Sequence, residues 1–210
     1  MASDGELRLR SAPEDTARRV LEAAAAEFVE RGYDGAVISD IARRAGVSSG
    51  AIYPRWPHKN DLMLAAIEHL LEQLRPEQRL EDLGLSELTL PELFEVWGAS
   101  LLTSDSVRDV LVQVFGSARS NTAIQQLLQH FLDKQADEFH RLVEQAKDEE
   151  YCDTEHETAA LALLIQSIGI GTHLLLSGGL SDRHVPSEQG WVALLAHVIA
   201  GMAPSPSPHG

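Results

Sequence analysis

The chain has 210 residues, 44% of them hydrophobic and 23% charged, enough to bury a sizeable core as one large or two small soluble domains. Its single cysteine, Cys152, excludes an intramolecular disulfide and fits a reducing interior. The net charge of −15 does not exclude a nucleic-acid partner, because residues 1–60 hold nine basic and nine acidic side chains and the whole excess of acid lies beyond residue 60.

In chain order, residues 1–13 read as a flexible arm without the apolar core of a signal peptide, which argues for a cytoplasmic protein. From Glu14 to Arg31, Ala17, Val20, Leu21, Ala24, Ala25 and Phe28 recur on one helical stripe, and Gly32 ends it. A second helix is expected from about Val37 to Arg44, with Ile38, Ile41 and Ala42 inward. A third starts at Ser48. A fourth runs from near Lys59 to about Leu74, with Asp61 placed for the free N–H groups of its first turn. Beyond Pro76, segments near 89–103, 105–117, 121–148, 154–178 and 187–202 carry helical spacing, punctuated by Pro91, Gly116, Gly178, Gly179 and Pro186. No strand-like alternation or repeat interrupts them, and residues 204–210 read as a disordered tail. The fold class is all-α, with about nine helices.

Between Ile41 and Ile52 the spacing is that of two helices crossing steeply. Ala42 is small where they touch, Gly46 takes the turn, Val47 and Ile52 plug the core, and Ser48 is placed to cap the next helix. A second helix held this way lies in a major groove with its first residues at the base edges. Pro54 cannot donate to the carbonyl of Gly50, so it should end or tighten that helix within two turns.

The run RRVLEAAAAEFVERGYDGAVISDIARRAGVSSGAIYPRWPHKNDL resembles the N-terminal domain of the TetR family of transcriptional repressors. The resemblance rests on Ala24 and Phe28 before Gly32 and Tyr33, then Asp40–Ile41–Ala42, Ala45–Gly46–Val47–Ser48, Gly50, Ile52–Tyr53, Lys59 and Leu62. It implies a three-helix DNA-binding domain with its connecting helix over 14–74, and a helical ligand-binding and dimerisation domain over 75–203. By position, Tyr53 and Lys59 would hold phosphates and Arg55 a further stretch of backbone, while Ser48, Ser49, Gly50 and Pro54 would approach bases. Arg43 and Arg44 are further candidates for DNA contact, with ordinary surface ion pairs as the alternative; for Tyr53 the alternative is half-buried packing. Val37, Ala51, Trp56 and His58 depart from the family pattern, and Trp56 reads as a plug between the third and fourth helices.

In the body, Ala159 to Leu180 is apolar all round except for Gln166, Ser167, Thr172, His173 and Ser177. Its length would suit a transmembrane span, but the interior polar groups and the absence of a basic flank argue for burial against the protein's own core and a second copy. The final run WVALLAHVIAGM is equally apolar, and two such helices from each chain would make the four-helix interface by which the family dimerises. Phe94, Trp97, Leu101, Phe115 and Ile170, with Gln166 and His173, are the candidate ligand-binding residues, core packing being their alternative. The Glu155–His156–Glu157 triplet lacks a metal geometry on one helix, and no metal, cofactor or catalytic group is expected. The resulting expectation is a ligand-responsive regulator, a repressor, that binds a near-palindromic operator as a homodimer and is released by a small-molecule effector. Control by a protein partner, or a small-molecule-binding helical protein or enzyme with a vestigial helix-turn-helix, are the competing readings.

Overall fold

A computed structural model describes residues 4–72, 89–102 and 107–204 of the chain. Among them are eight α-helices: α1 (Asp4–Gly35), α2 (Ile38–Ala45), α3 (Lys59–Glu72), α4 (Leu90–Ser100), α5 (Val107–Ala118), α6 (Thr122–Asp148), α7 (Thr158–Ser177) and α8 (Glu188–Ala200). Short 3-10 turns occupy Ser49–Ala51 and Asp182–His184, and no strand occurs among the described residues. The all-α expectation holds. The end of the connecting helix, the expected boundary at 74/75 and residues 205–210 of the tail lie outside the described residues. Two compact units result: residues 1–73 together with 113–128, and residues 74–112 together with 129–210. The division is therefore not the simple cut in sequence that the expected domains imply.

In the first unit the helical backbone begins at Asp4, so from that residue on it replaces the flexible arm expected over 1–13. Good helix formers in this stretch (Glu6, Leu7, Arg8, Leu9, Arg10) explain the extension. Gly32 breaks α1, as expected, at φ 71° and ψ 177°, a conformation that a side chain disfavours. The stripe on α1 buries Val20, Ala24 and Phe28, with Val20 2% exposed and the other two fully inaccessible. α2 and α3 pack on that side of α1, delivering Ile41, Leu62, Met63 and Ile67 to the same core. α2 starts without a side-chain cap, because Val37 stands where a hydroxyl would serve. It ends in a Schellman motif: Gly46 takes φ 67°, its N–H bonds the carbonyl of Arg43 at 3.2 Å, and the Val47 N–H bonds that of Ala42 at 3.0 Å.

The third helix is where expectation and structure differ most. Instead of an α-helix from Ser48, a 3-10 turn spans Ser49–Ala51 and continues as turns to Arg55. The Ile52 N–H bonds Ser49 at 3.2 Å and the Ala51 N–H bonds Ser48 at 3.0 Å, both i→i−3. Pro54 offers no N–H with which to continue an α-helical ladder. The hydroxyl of Ser48 makes no capping bond, a correction to the expected cap. Its backbone carbonyl already takes the Ala51 N–H that the hydroxyl would have accepted. Beneath this loop, Ile52 is fully buried and Trp56 is 8% exposed, the plug that its position implied. Asp61 accepts a hydrogen bond from the His58 N–H at 3.0 Å, which satisfies one free donor at the start of α3.

In the second unit, α4 begins at a capping box in which the Thr89 N–H donates to the Glu92 carboxylate at 2.9 Å. α4 lies against α8. Gly98 makes that approach possible, since a Cβ there would sit 2.3 Å from Cδ1 of Leu195. The Trp191 indole N–H donates to the Gly98 carbonyl at 3.1 Å and ties the two helices. Leu90, Phe139, Val143, Ala146, Leu161 and Ile165 form the core that joins α4, α6 and α7. α6 ends in a second Schellman turn: the Tyr151 N–H bonds Ala146 at 2.8 Å and the Glu150 N–H bonds Lys147 at 3.1 Å. Here a glutamate, Glu150, takes the left-handed position at φ 63°.

These two helix ends supply opposite tests of one constraint. Gly46→Ala forces a Cβ into a left-handed turn and should lower stability by about 1 kcal/mol, whereas Glu150→Gly relieves one and should raise it by a similar amount. Urea unfolding of the full chain followed by far-UV circular dichroism measures both. Equal and negligible shifts would remove the left-handed turns as determinants of stability.

Candidate functional site: a reading loop and two body cavities

The expected DNA-contacting residues share one loop whose underside is pinned. Ile52 and Trp56 point into the core, while Ser48, Gly50, Tyr53, Pro54 and Arg55 are exposed and Ser49 is half-buried. Tyr53 is 49% exposed, which leaves its hydroxyl-bearing side chain about half open to solvent. The Arg55 guanidinium carbon lies 5.4 Å from the centroid of the Trp56 ring, a cation–π contact that holds the charge above the plug. Lys59 donates through Nζ to the Asp34 carbonyl at 2.9 Å and lies 5.9 Å from the ring centroid of Tyr33. Both cations therefore rest on neutral local partners that a phosphate could replace. Tyr33, whose hydroxyl donates to Asn60, has its phenol pKa pushed up, mainly by burial.

Arg43 and Arg44 are engaged otherwise. Arg43 pairs with Asp40 at 2.7 Å, and Asp40 also receives Arg31 at 2.6 Å. Arg44 pairs with Glu30 and reaches Glu27 at 3.4 Å, and Arg31 reaches Glu27 from the other side at 3.4 Å. Arg19 donates to the carbonyl of Ala45, the last residue of α2, at 2.8 Å. Arg43 and Arg44 thus both make ion pairs, with side chains that stay 74% and 38% exposed. The structure also shows a group that the sequence reading passed over: Glu27, only 4% exposed, on the buried side of α1 beside Phe28 and Ala24. Its signal was present, as an acid one turn before Arg31 inside an apolar stripe. The hydrogen bond from Arg31 holds the Asp40 carboxyl below its ordinary pKa, and that from Arg44 does the same for Glu30.

Two cavities lie among the described residues of the second unit. The larger, of about 70 Å³, is walled by Phe94 and Trp97 of α4, Val143 and Ala146 of α6, Ile165 and Ile168 of α7, and Leu195 and Ile199 of α8. Cys152 and Tyr151 close one end, and no charged or amide side chain lines it. The smaller, of about 30 Å³, gathers Trp97, Leu101, Gln166, Ile170 and His173 from the expected set, along with Gln135 and Phe139. Trp97 is the wall common to both. It sits edge-on to Phe94 and Phe139, each ring centroid 6.1 Å away, and over Gly169, where a Cβ would come within 3.1 Å of its ring.

The expected polar groups mostly serve the frame. Gln166 donates to the Leu132 carbonyl at 2.9 Å and to Gln135 at 3.3 Å. His173 Nδ1 lies 2.8 Å from the Gly169 carbonyl one turn earlier, and the ring is 6% exposed. Phe115 lines neither cavity and groups with the N-terminal unit, a correction to the expected ligand set. Helical periodicity placed it on an apolar face but could not show which unit that face joins. Cys152 and Tyr151 were missed as cavity residues, because the Schellman turn that brings them there has no periodic signature. Among the described residues no three His, Cys, Asp or Glu side chains gather as a metal site would need.

Residues 20–66 match the family model of bacterial regulatory proteins, tetR family. An HTH-type transcriptional regulator of Mycobacterium tuberculosis is 42% identical over 62 residues, covering 29% of this chain and 33% of that protein. The HTH-type transcriptional regulator HbdR of Aromatoleum sp. is 30% identical over 115 residues, covering 55% of this chain and 50% of its own. The matched stretch thus spans about a third of the first curated relatives and half of HbdR. Over the whole fold, the structure of a TetR-family transcriptional regulator from Cytophaga hutchinsonii aligns with a TM-score of 0.75 at 15% identity, covering 92% of this chain and 98% of that one. At that identity the likeness is one of fold.

The ion pairs between α1 and α2 make a pH test. Asp40 and Glu30 have folded pKa values below their ordinary 3.8 and 4.5, so their stabilisation is present above those values and is lost as pH falls through the lower, folded ones. Stability should be level above about pH 5 and fall below about pH 4. Asp40→Asn should flatten part of that slope in urea titrations at stepped pH. An unchanged slope in the variant would show that the pair with Arg31 does not contribute.

Proposed function

From the premise of a TetR-family DNA-binding domain on an all-α body, we propose that this chain is a DNA-binding transcriptional regulator, acting as a homodimeric repressor that a small molecule releases. The observation that carries the reading is the pinned loop. Tyr53, Pro54 and Arg55 stand exposed in succession above Ile52 and Trp56, with Lys59 beside them, which is how a head that meets a phosphate backbone is built. Lys59 and Arg55 supply charge to phosphates, Tyr53 supplies a hydroxyl donor, and Ser48, Ser49 and Gly50 lead toward base edges. Pro54 presents only carbon there and suits a thymine methyl. Arg43 and Arg44 hold α2 to α1 and itself, and support the head from behind.

Dimerisation is supported by what α7 and α8 leave uncovered. Leu163 is 64% exposed, Leu175 60% and Leu194 55%, on the two helices that the family resemblance assigns to the interface. With a mean hydropathy of 1.8, α7 is long and apolar enough to cross a bilayer by composition alone. Its polar residues Gln166 and His173 are instead committed to hydrogen bonds within the body, and the domain it belongs to accompanies a DNA-binding head. A second copy covering the leucines, in the cytoplasm, accounts for both facts. The body cavities are the place for an effector, whose binding would alter how the two heads are spaced.

The expected behaviour is binding of a near-palindromic duplex with half-sites about one helical turn, roughly 34 Å, apart. Affinity should fall steeply with salt, and Lys59→Ala should weaken all sequences alike and lower the salt slope by about 1. Tyr53→Phe should act in the same uniform way. Leu163→Glu with Leu175→Glu should give a monomer that loses operator binding while remaining helical. Light scattering and fluorescence anisotropy on operator DNA measure these effects; a monomeric wild type, or binding indifferent to salt, would sink the reading.

A further inference from the structure

The two cavities differ in chemistry, and the difference selects a ligand. In the smaller one Gln166 and His173 are bonded to backbone carbonyls, and its volume of about 30 Å³ is that of a site for one or two waters. The larger, at about 70 Å³, exceeds several-fold the ~10–15 Å³ that a single water needs. Water entering it would find few hydrogen-bonding partners, since its walls are mostly aliphatic and aromatic carbon, with the Tyr151 phenol, the Trp97 indole, the Cys152 thiol and the Met202 thioether as the side chains that carry a heteroatom. A charged group entering it would lose its hydration without compensation. Three of its lining residues, Tyr151 (38% exposed), Leu164 (43%) and Val198 (38%), are themselves partly open to solvent.

We propose that the cavity walled by Phe94, Trp97, Val143, Ala146, Cys152 and Ile168 is a binding site for a compact, uncharged, apolar molecule. This inference rests on the effector reading above and deepens it by naming the ligand class: an aromatic or aliphatic hydrocarbon-like compound, not an anion, a sugar or a nucleotide. At about 70 Å³ the cavity is smaller than the ~150 Å³ that holds benzene, so an aromatic occupant must part its apolar walls as it enters. Gly98 lets α8 close on α4, and the turn at Glu150 lays Tyr151 and Cys152 across one end. The occupant gains burial against an indole and a phenyl ring, with selectivity coming from exclusion of charge.

Cys152 gives a direct readout, because it is the chain's single cysteine and lines the site at 6% exposure. The full chain is treated with N-ethylmaleimide, and modification is followed by mass spectrometry with toluene or with benzoate present. The two compounds are close in shape and differ in charge. Toluene should slow alkylation saturably, by about tenfold once its concentration is ten times its Kd, and benzoate should not. Ala146→Leu, which fills this cavity and leaves the smaller one untouched, should abolish the protection. No protection by toluene, equal protection by benzoate, or full protection in a folded Ala146→Leu variant would each overturn the proposal. The toluene–benzoate pair decides on the unaltered chain, whether or not the variant folds. Operator binding is measured in parallel. Protection without a change in DNA affinity supports the site and removes its effector role, and failure to bind DNA at all overturns the regulatory reading while leaving the site in place.

Discussion

A carboxylate that is 4% exposed must be compensated, and Glu27 is compensated by two arginines approaching from different elements. Arg31 comes from its own helix and Arg44 from α2, so the buried charge gives α2 an electrostatic contact with α1 beneath their packed apolar faces. The remaining pairs, Arg31 and Arg43 on Asp40 and Arg44 on Glu30, lie nearer the surface and add little each. Their joint effect is directional. With α2 fixed, the left-handed turn at Gly46 sets where the chain leaves it, and Ile52 and Trp56 fix where the loop comes down. Placement of Tyr53, Arg55 and Lys59 follows from those constraints and needs no regular helix beneath it.

The reading loop shows how a local rule and a global one can both hold. Proline and glycine within seven residues make a poor α-helix, and the backbone takes i→i−3 bonds instead. A loop of this kind would drift if only its backbone held it. Two buried side chains from within the loop itself, one fully inaccessible and one 8% exposed, replace the missing ladder as the source of rigidity. The side chains proposed to meet DNA are then the residues left over on the other face.

What could be read in the amino-acid sequence was what periodicity and turn chemistry encode. The buried stripe of α1, the break at Gly32, the left-handed turn at Gly46, the acid at Asp61 and the apolar character of α7 and α8 all follow from neighbours within a few residues. Helix ends beyond Pro76 came within a few residues of their observed places for the same reason. What could not be read depends on partners far along the chain. Gln166 meets a carbonyl 34 residues away, and Trp191 meets one 93 residues away. Nothing in the local pattern separates a glutamine that awaits a ligand from one already bonded to the frame. Phe115 and Glu27 illustrate the same limit from both sides. An aromatic on an apolar face was assigned to the wrong neighbourhood, and an acid on such a face was passed over.

Trp97 is a partition as much as a wall. Its indole separates a mostly apolar chamber from one that holds two amides and an imidazole, and it stands there because Gly169 leaves room for it. Removing that one ring would join the two into a single elongated compartment, greasy at one end and hydrogen-bonding at the other, with the outline of an amphiphile. On the proposed reading, the ligand class of the body would thus turn on one side chain: replacing Trp97 would trade a site for small hydrocarbons for one that takes a tail and a polar head, with the residues of the exposed loop untouched.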